Sequence, residues 1–164
     1  MQRKPRSAIS LFLLAIGPSM LAGGCGGDSE PSSVPGGADS EAVEVIEAWS
    51  DELRAGEAER AADHWEVPSV AQNGTPPLEL RSRREVIAFN ESLPCGAELT
   101  RAEPEGEFTV ATFELTERPG PGECGPGTGQ TARTAFLIED GMIVEWRRVP
   151  DEDPTAPPVE GPVV

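Results

Sequence analysis

The chain has 164 residues, with 29 acidic side chains against 13 basic ones, a formal net charge of −16, one histidine and three cysteines. An anionic surplus of this size excludes nucleic acid, whose phosphates demand clustered Lys and Arg, and it disfavours contact with anionic lipid headgroups. A single histidine and widely spaced cysteines leave little for a transition-metal site, so neither a metal nor a cofactor is expected.

Arg3, Lys4 and Arg6 precede an apolar run from Ala8 to Ile16, which Gly17-Pro18 interrupts well short of the ~20 apolar residues of a membrane span. Leu21-Ala22-Gly23-Gly24-Cys25 then sets small residues before a cysteine. The segment resembles the lipobox of bacterial lipoproteins, with Leu21 one position early, and residues 1–24 read as an export signal. The alternative is an ordinary secretory signal with an incidental cysteine; export follows from either. The resemblance implies that Cys25 is diacylated, becomes the mature N-terminus and holds the chain to the cell membrane with its domain on the extracytoplasmic side. Residues 25–39 are rich in Gly, Ser and Pro and read as a flexible tether.

Loss of the leader removes Arg3, Lys4 and Arg6 but no acid, so 10 basic residues face all 29 acidic ones in the mature chain. The simplest account of these charges is a solvated surface that keeps the domain soluble. With Cys25 assigned to lipid, Cys95 and Cys124 remain as one candidate pair. Outside the cytosol that pair should oxidise to a disulfide; free reactive thiols are the alternative.

Residues 40–149 carry the periodic apolar pattern of a single α+β domain. A first helix should start at Asp39 or Ser40, either of which can cap, and it places Ala42, Ile46, Trp49 and Leu53 on one face before Gly56 stops it. A short second helix from Glu57 to about His64 turns Ala58, Ala61, Ala62 and Trp65 inward, and Val67-Pro68 ends it. A brief strand near Val70–Gln72 and another at Leu78–Leu80 flank the turn residues Asn73-Gly74 and Pro76-Pro77. Ser82-Arg83-Arg84-Glu85 has the form of a capping box, so a third helix begins at Arg83 and ends before Pro94. Alternation then predicts four strands, at Ala97–Ala102, Phe108–Glu117, Thr131–Glu139 and Met142–Val149. Asp140-Gly141 marks a type I′ hairpin. The Gly- and Pro-rich loop Pro119–Gln130 contains Cys124, and residues 150–164 read as a disordered proline-rich acidic tail.

The order of helix, short helix, strand, helix and meander, ending in Phe136-Leu137-Ile138-Glu139-Asp140-Gly141-Met142-Ile143-Val144-Glu145-Trp146-Arg147, resembles the nuclear transport factor 2-like superfamily over about residues 41–149. Its SnoaL-like, polyketide-cyclase-like branch is the nearest match, supported by Gly56 to Ala62 and by Arg83 to Phe89. The resemblance implies three N-terminal helices on a strongly curved, mainly antiparallel sheet, forming a cone whose wide end holds an apolar small molecule. Members include isomerases, dehydratases, cyclases and hydrolases alongside non-catalytic binders, so the fold leaves the chemistry open.

Asp63 and His64 are the candidate acid-base pair, although adjacent helical residues point about 100° apart. An isomerase site of the kind that uses a tyrosine in its oxyanion hole is excluded, because the chain has no tyrosine. The aromatic residues Trp49, Trp65, Phe89, Phe113, Phe136 and Trp146 are candidate cavity walls or plain core. On the last strand Met142, Val144, Trp146 and Arg148 should share one face and Ile143, Glu145, Arg147 and Val149 the other. An inward Trp146 would put Arg148 at the cone mouth, where Arg148 and Asn73 could orient a ligand. The reading that follows is a membrane-anchored binder of a small apolar or amphipathic molecule or of a protein partner, without turnover. The rivals are a cyclase-, isomerase- or hydrolase-like enzyme using Asp63 or His64, and an accessory module of an envelope complex, with homodimerisation through the sheet face.

Overall fold

The computed structural model describes residues 34–74 and 76–150. The leader, Cys25, the tether as far as Ser33 and the tail from Asp151 lie outside the described residues. Among the described residues no helix is long and apolar enough to cross a membrane.

Helix α1, Ser40–Arg54, begins where Asp39 caps it: the carboxylate oxygen Oδ1 accepts from the amides of Glu41 (2.9 Å) and Ala42 (3.4 Å). Its inward stripe is the expected one, with Ala42, Ile46, Trp49 and Leu53 all buried. Gly56 follows at φ +81°, and a Cβ there would come within 2.9 Å of Pro119, so this glycine both turns the chain and admits the loop after the fourth strand. Helix α2 is a single turn, Ala58–Ala61, continued by a 3₁₀ turn at Ala62–His64.

Here the structure corrects the expected boundary. The helical turns end at His64, as expected, but strand β1 runs Trp65–Gln72 and so begins five residues before the strand expected near Val70–Gln72. Pro68 disfavours helical dihedrals at Val67, and the parallel pairing of Trp65 with Ile143 and of Val70 with Glu145 supplies the ladder for the extended residues. The four side chains expected to point inward, Ala58, Ala61, Ala62 and Trp65, are nevertheless buried.

Strand β2, Leu78–Leu80, pairs antiparallel with β1. Helix α3, Arg83–Ser92, starts as half of a capping box: Ser82 Oγ accepts from the Glu85 amide at 3.4 Å, but the Glu85 carboxylate accepts from the Arg81 amide (2.7 Å) rather than from Ser82. Strands β3 (Gly96–Glu105), β4 (Phe108–Thr116), β5 (Thr131–Glu139) and β6 (Met142–Val149) form an antiparallel meander. Asp140 (φ +50°) and Gly141 (φ +73°) make the two-residue turn between β5 and β6.

The six strands lie in the order β2-β1-β6-β5-β4-β3, with β1 and β6 the parallel pair. The sheet is less curled than the cone the resemblance implies; its register breaks fall in three places, between β1 and β6, β3 and β4, and β5 and β6. The last of these corrects the expected faces of β6. An extra residue at Val144 switches the alternation, so that Ile143 and Trp146 are both buried, at 0% and 4% exposure, rather than on opposite faces.

The core between helices and sheet holds two aromatic clusters. Phe136 sits edge-on to Trp49 (5.4 Å between ring centres) and Phe113 (6.2 Å), while Phe89 sits edge-on to Trp65 (5.6 Å) and Trp146 (5.2 Å). At the outer edge, the end of the segment assigned to the tether is pinned. The Ala102 amide donates to Pro35 O (2.9 Å) and the Ala38 amide to Ala102 O (3.3 Å), which covers part of the open side of β3.

Candidate functional site

An apolar cavity of about 250 Å³ opens where α1 and α3 end against the sheet. Trp49 and Leu53 reach it from α1, Leu93 and Pro94 from the end of α3, and Phe113 and Leu115 from β4. Its polar groups sit on three neighbouring strands. Arg148 on β6 lies opposite Thr134 on β5. Gln72 is the parallel register partner of Arg147, so Asn73 emerges from β1 beside Arg148. All three line the cavity, and none of its described lining residues is Asp, Glu or His.

Of the eight residues expected to contact a ligand, five line this cavity: Trp49, Asn73, Phe113, Trp146 and Arg148. Trp65, Phe89 and Phe136 do not, and are buried core. Sequence reasoning missed Leu53, Leu93, Leu115, Ala97, Ala132 and Thr134, ordinary apolar or small residues whose place depends on how helix ends meet strands.

The candidate acid-base pair is elsewhere. Asp63 is exposed and accepts from Arg83 Nη2 (2.6 Å) and Nε (3.1 Å), while the same guanidinium donates to Glu59 O (2.7 Å). His64 Nε2 lies 3.1 Å from Glu52 Oε2. Neither lines the cavity; His64 precedes β1 and Asn73 follows it, so the two stand at opposite ends of that strand. The two side chains do not converge on a common point; each serves a separate surface pairing.

Three devices hold the cavity wall in shape. Trp49 Nε1 donates to Asn90 Oδ1 (3.3 Å) and Asn90 Nδ2 donates to Ala58 O (3.3 Å), so one fully buried amide fixes an indole and ties α1, α2 and α3 together. Cys95 and Cys124 form the expected disulfide, and Cys95 is part of the wall. Gly127 lies directly over the bridge: a Cβ there would stand 3.2 Å and 3.3 Å from the two sulfurs.

Glu117 organises the same loop, accepting from the amides of Cys124 (3.2 Å) and Gly125 (2.9 Å) and from Thr128 Oγ1 (2.8 Å). Those bonds, the one from Thr128 foremost, hold its carboxyl below the usual glutamate range. Arg118 caps two helix ends at once, donating to Leu53 O (3.4 Å), Asn90 O (3.1 Å) and Glu91 O (3.3 Å). Burial pushes its guanidinium down, with the Glu91 charge acting in the opposite direction. Neither residue carries a motif; only its place at the exit of β4 could have signalled its role.

No family profile matches the sequence, and no curated protein is similar to it. Solved structures are. A protein described as a polyketide cyclase by proposal, from Sinorhizobium meliloti, superposes with a TM-score of 0.51 at 13% identity, over 65% of this chain and 94% of that one. A nuclear transport factor 2-like protein of unknown function from Cytophaga hutchinsonii gives 0.51 at 10% identity, over 65% and 87%. The fold is nuclear transport factor 2-like. A de novo designed protein with a curved β-sheet matches this nuclear transport factor 2-like domain equally well, with a TM-score of 0.54 at 17% identity over 70% of this chain and 88% of that one. At these identities the likeness carries the fold and no chemistry.

Proposed function

We propose that the protein is an exported lipoprotein whose nuclear transport factor 2-like domain binds a small apolar or amphipathic molecule without converting it. The observation that carries this reading is the make-up of the cavity wall. It joins aromatic and aliphatic side chains to Asn73, Thr134 and Arg148 and, among its described residues, offers no carboxylate or imidazole to move a proton. Cys95, the lining residue with a nucleophilic element, is committed to the disulfide. That bridge fits an oxidising compartment, and it leaves Cys25 as the one cysteine of three outside the pair. The outer sheet face offers less to a partner. Arg147 stacks on Phe108 at 4.6 Å, and the large apolar side chains exposed among the described residues are Val67 and Leu78.

Three measurements test the reading. The native mass of the full-length protein, recorded before and after incubation with a small-molecule extract of the producing cell, should gain a reproducible increment. Saturable turnover of a bound compound that is lost in Asp63→Ala or His64→Ala would overturn non-catalytic binding. Labelled acyl chains should enter the wild-type chain and be absent from Cys25→Ala; label retained by that variant would end the lipoprotein assignment.

A further inference from the structure

The charge lining the cavity runs against the charge of the chain. Acidic residues outnumber basic ones 29 to 13, so a wall drawn at random would carry carboxylates. This one carries none among its described residues, and its one ionic group is the Arg148 guanidinium. The other two polar lining side chains stand next to that guanidinium, Thr134 across the β5–β6 ladder and Asn73 across the parallel β1–β6 pair. The cavity therefore has one polar corner, rich in hydrogen-bond donors, and otherwise apolar walls. Transfer of a cation into such a space would be opposed by desolvation and by Arg148, with no anion in the wall to offset either.

We propose that the ligand is a compact amphipathic monocarboxylate, its carboxylate held at the Arg148–Thr134–Asn73 corner and its apolar body against Trp49, Phe113 and Trp146. This rests on the binding function argued above and narrows it to a chemical class. A guanidinium presents five N–H donors in a planar fork, so Arg148 can serve a ligand carboxylate alongside a protein partner, and the fork matches a carboxylate in a bidentate pair. Thr134 adds a hydroxyl donor and Asn73 an amide donor. The net negative field of the domain opposes approach from a distance, but it is screened beyond ~8–10 Å at physiological ionic strength, and the charge that the described wall itself presents is Arg148. Size narrows the class further. At ~30 Å³ for each water-sized group, a cavity of about 250 Å³ has room for roughly eight heavy atoms, so it takes the chain carbons of an acid of eight or nine carbons and leaves the carboxylate at the mouth.

Octanoate, octan-1-ol and octylamine share one chain and differ in the head group. Their binding to the full-length protein at pH 7.5 can be followed by tryptophan emission, because two of the three tryptophans, Trp49 and Trp146, are in the wall and there is no tyrosine background. A charge-assisted hydrogen bond is about twice as strong as a neutral one, so octanoate should bind about tenfold tighter than octan-1-ol or more, and octylamine weakest of the three. Arg148→Gln should remove the preference for octanoate over octan-1-ol, and its urea midpoint, read alongside that of wild type, checks that the variant is folded. Arg148→Lys, which keeps the charge and loses the fork, should fall between them. Equal affinity for octanoate and octan-1-ol, a preference for octylamine, or a carboxylate preference that survives Arg148→Gln would overturn the assignment while leaving the binding function intact. Failure of all three compounds to bind would overturn the assignment and count against the binding function as well.

Discussion

Replacing both Cys95 and Cys124 with alanine should lower the stability of the domain by about 3.6 kcal/mol at 25 °C and raise the slope of its urea transition. The bridge joins positions 29 residues apart, and closing a loop of that length removes about 12 cal/mol/K of entropy from the unfolded chain, which is ~3.6 kcal/mol. The effect should fall on the unfolded state because the native loop has other restraints. Glu117 still accepts from Cys124, Gly125 and Thr128, and the backbone bonds Gly129 N to Leu115 O (2.7 Å) and Leu115 N to Gln130 O (2.9 Å) remain. Equilibrium urea unfolding at pH 7, with the oxidised wild type and the double variant side by side, measures the difference. An unbridged chain exposes more surface on unfolding, so its slope should be steeper. A loss under ~1 kcal/mol with an unchanged slope would refute the reasoning, since the bridge would then not be restricting the unfolded chain. A thiol titration of denatured wild-type protein separates that result from a bridge that never forms, because two reactive thiols besides Cys25 would show the latter.

Three further perturbations read other parts of the structure. Glu117 titrates below the usual glutamate value of ~4.3 because its ionised form accepts three bonds, so its contribution is whole above that value and is lost as pH falls through the lower folded value. The gap in urea midpoint between wild type and Glu117→Gln should be widest near pH 7 and narrow progressively once the pH falls below the usual glutamate value of ~4.3; a gap that stays constant down to pH 3 would assign the effect to something other than the charge. Asn90→Ala strips Trp49 Nε1 of its acceptor and Ala58 O of one of its two donors, the Ala62 amide remaining, in a buried setting, with an expected loss of ~1–3 kcal/mol and a shift in tryptophan emission; stability within error of wild type would remove Asn90 from the account of the wall. Phe136→Ala empties a fully buried site between Trp49 and Phe113 and should destabilise by ~3–5 kcal/mol in the same assay, whereas a loss below ~1 kcal/mol would mean that the aromatic cluster collapses to fill the space.

The elements best legible in the sequence are those whose signals are local. The inward stripe of α1, the Ser82 start of α3 and the Asp140-Gly141 turn depend on residues within one helical turn or one hairpin, and they stand where the spacing put them. The start of β1 at Trp65, five residues ahead of the strand expected near Val70, carries no local signal, because the partner that draws these residues into a strand, β6, lies almost eighty residues later in the chain. The faces of β6 were misread for a related reason. The extra residue at Val144 is defined only against Leu137 and Ile138 across the ladder, and no composition signal marks it. The cavity was half legible: aromatic residues and Arg148 stand out in a sequence, but Leu53, Leu93 and Ala132 become wall only when helix ends and strand ends are brought together.

The polar corner shows how strictly this site depends on pairing that no local rule predicts. Arg148 faces the cavity because it lies two residues beyond the buried Trp146, past the register break, and Thr134 joins it because the β5–β6 ladder sets the two opposite. Asn73 arrives from a strand that runs parallel to β6, a pairing the hairpin signals give no hint of. Side chains alternate across a strand with a period of two, so a slip of one residue in either ladder would turn the moved strand's contribution to the opposite face and put a solvent-facing neighbour in its place. On β6 that neighbour is Arg147, which in the native register lies over Phe108 on the outer face and pairs with Glu145 at 2.5 Å. The chain thus carries two adjacent arginines with separate roles: one packs an aromatic ring on the outer face, the other is the positive charge of a cavity that excludes the acids abundant elsewhere. The register break at Val144 absorbs the one residue by which β6 exceeds β5 there, so deletion of Val144 should make Ile143–Ile138 and Glu145–Leu137 consecutive pairs, keep Arg148 opposite Thr134, and leave any discrimination between octanoate and octan-1-ol in place.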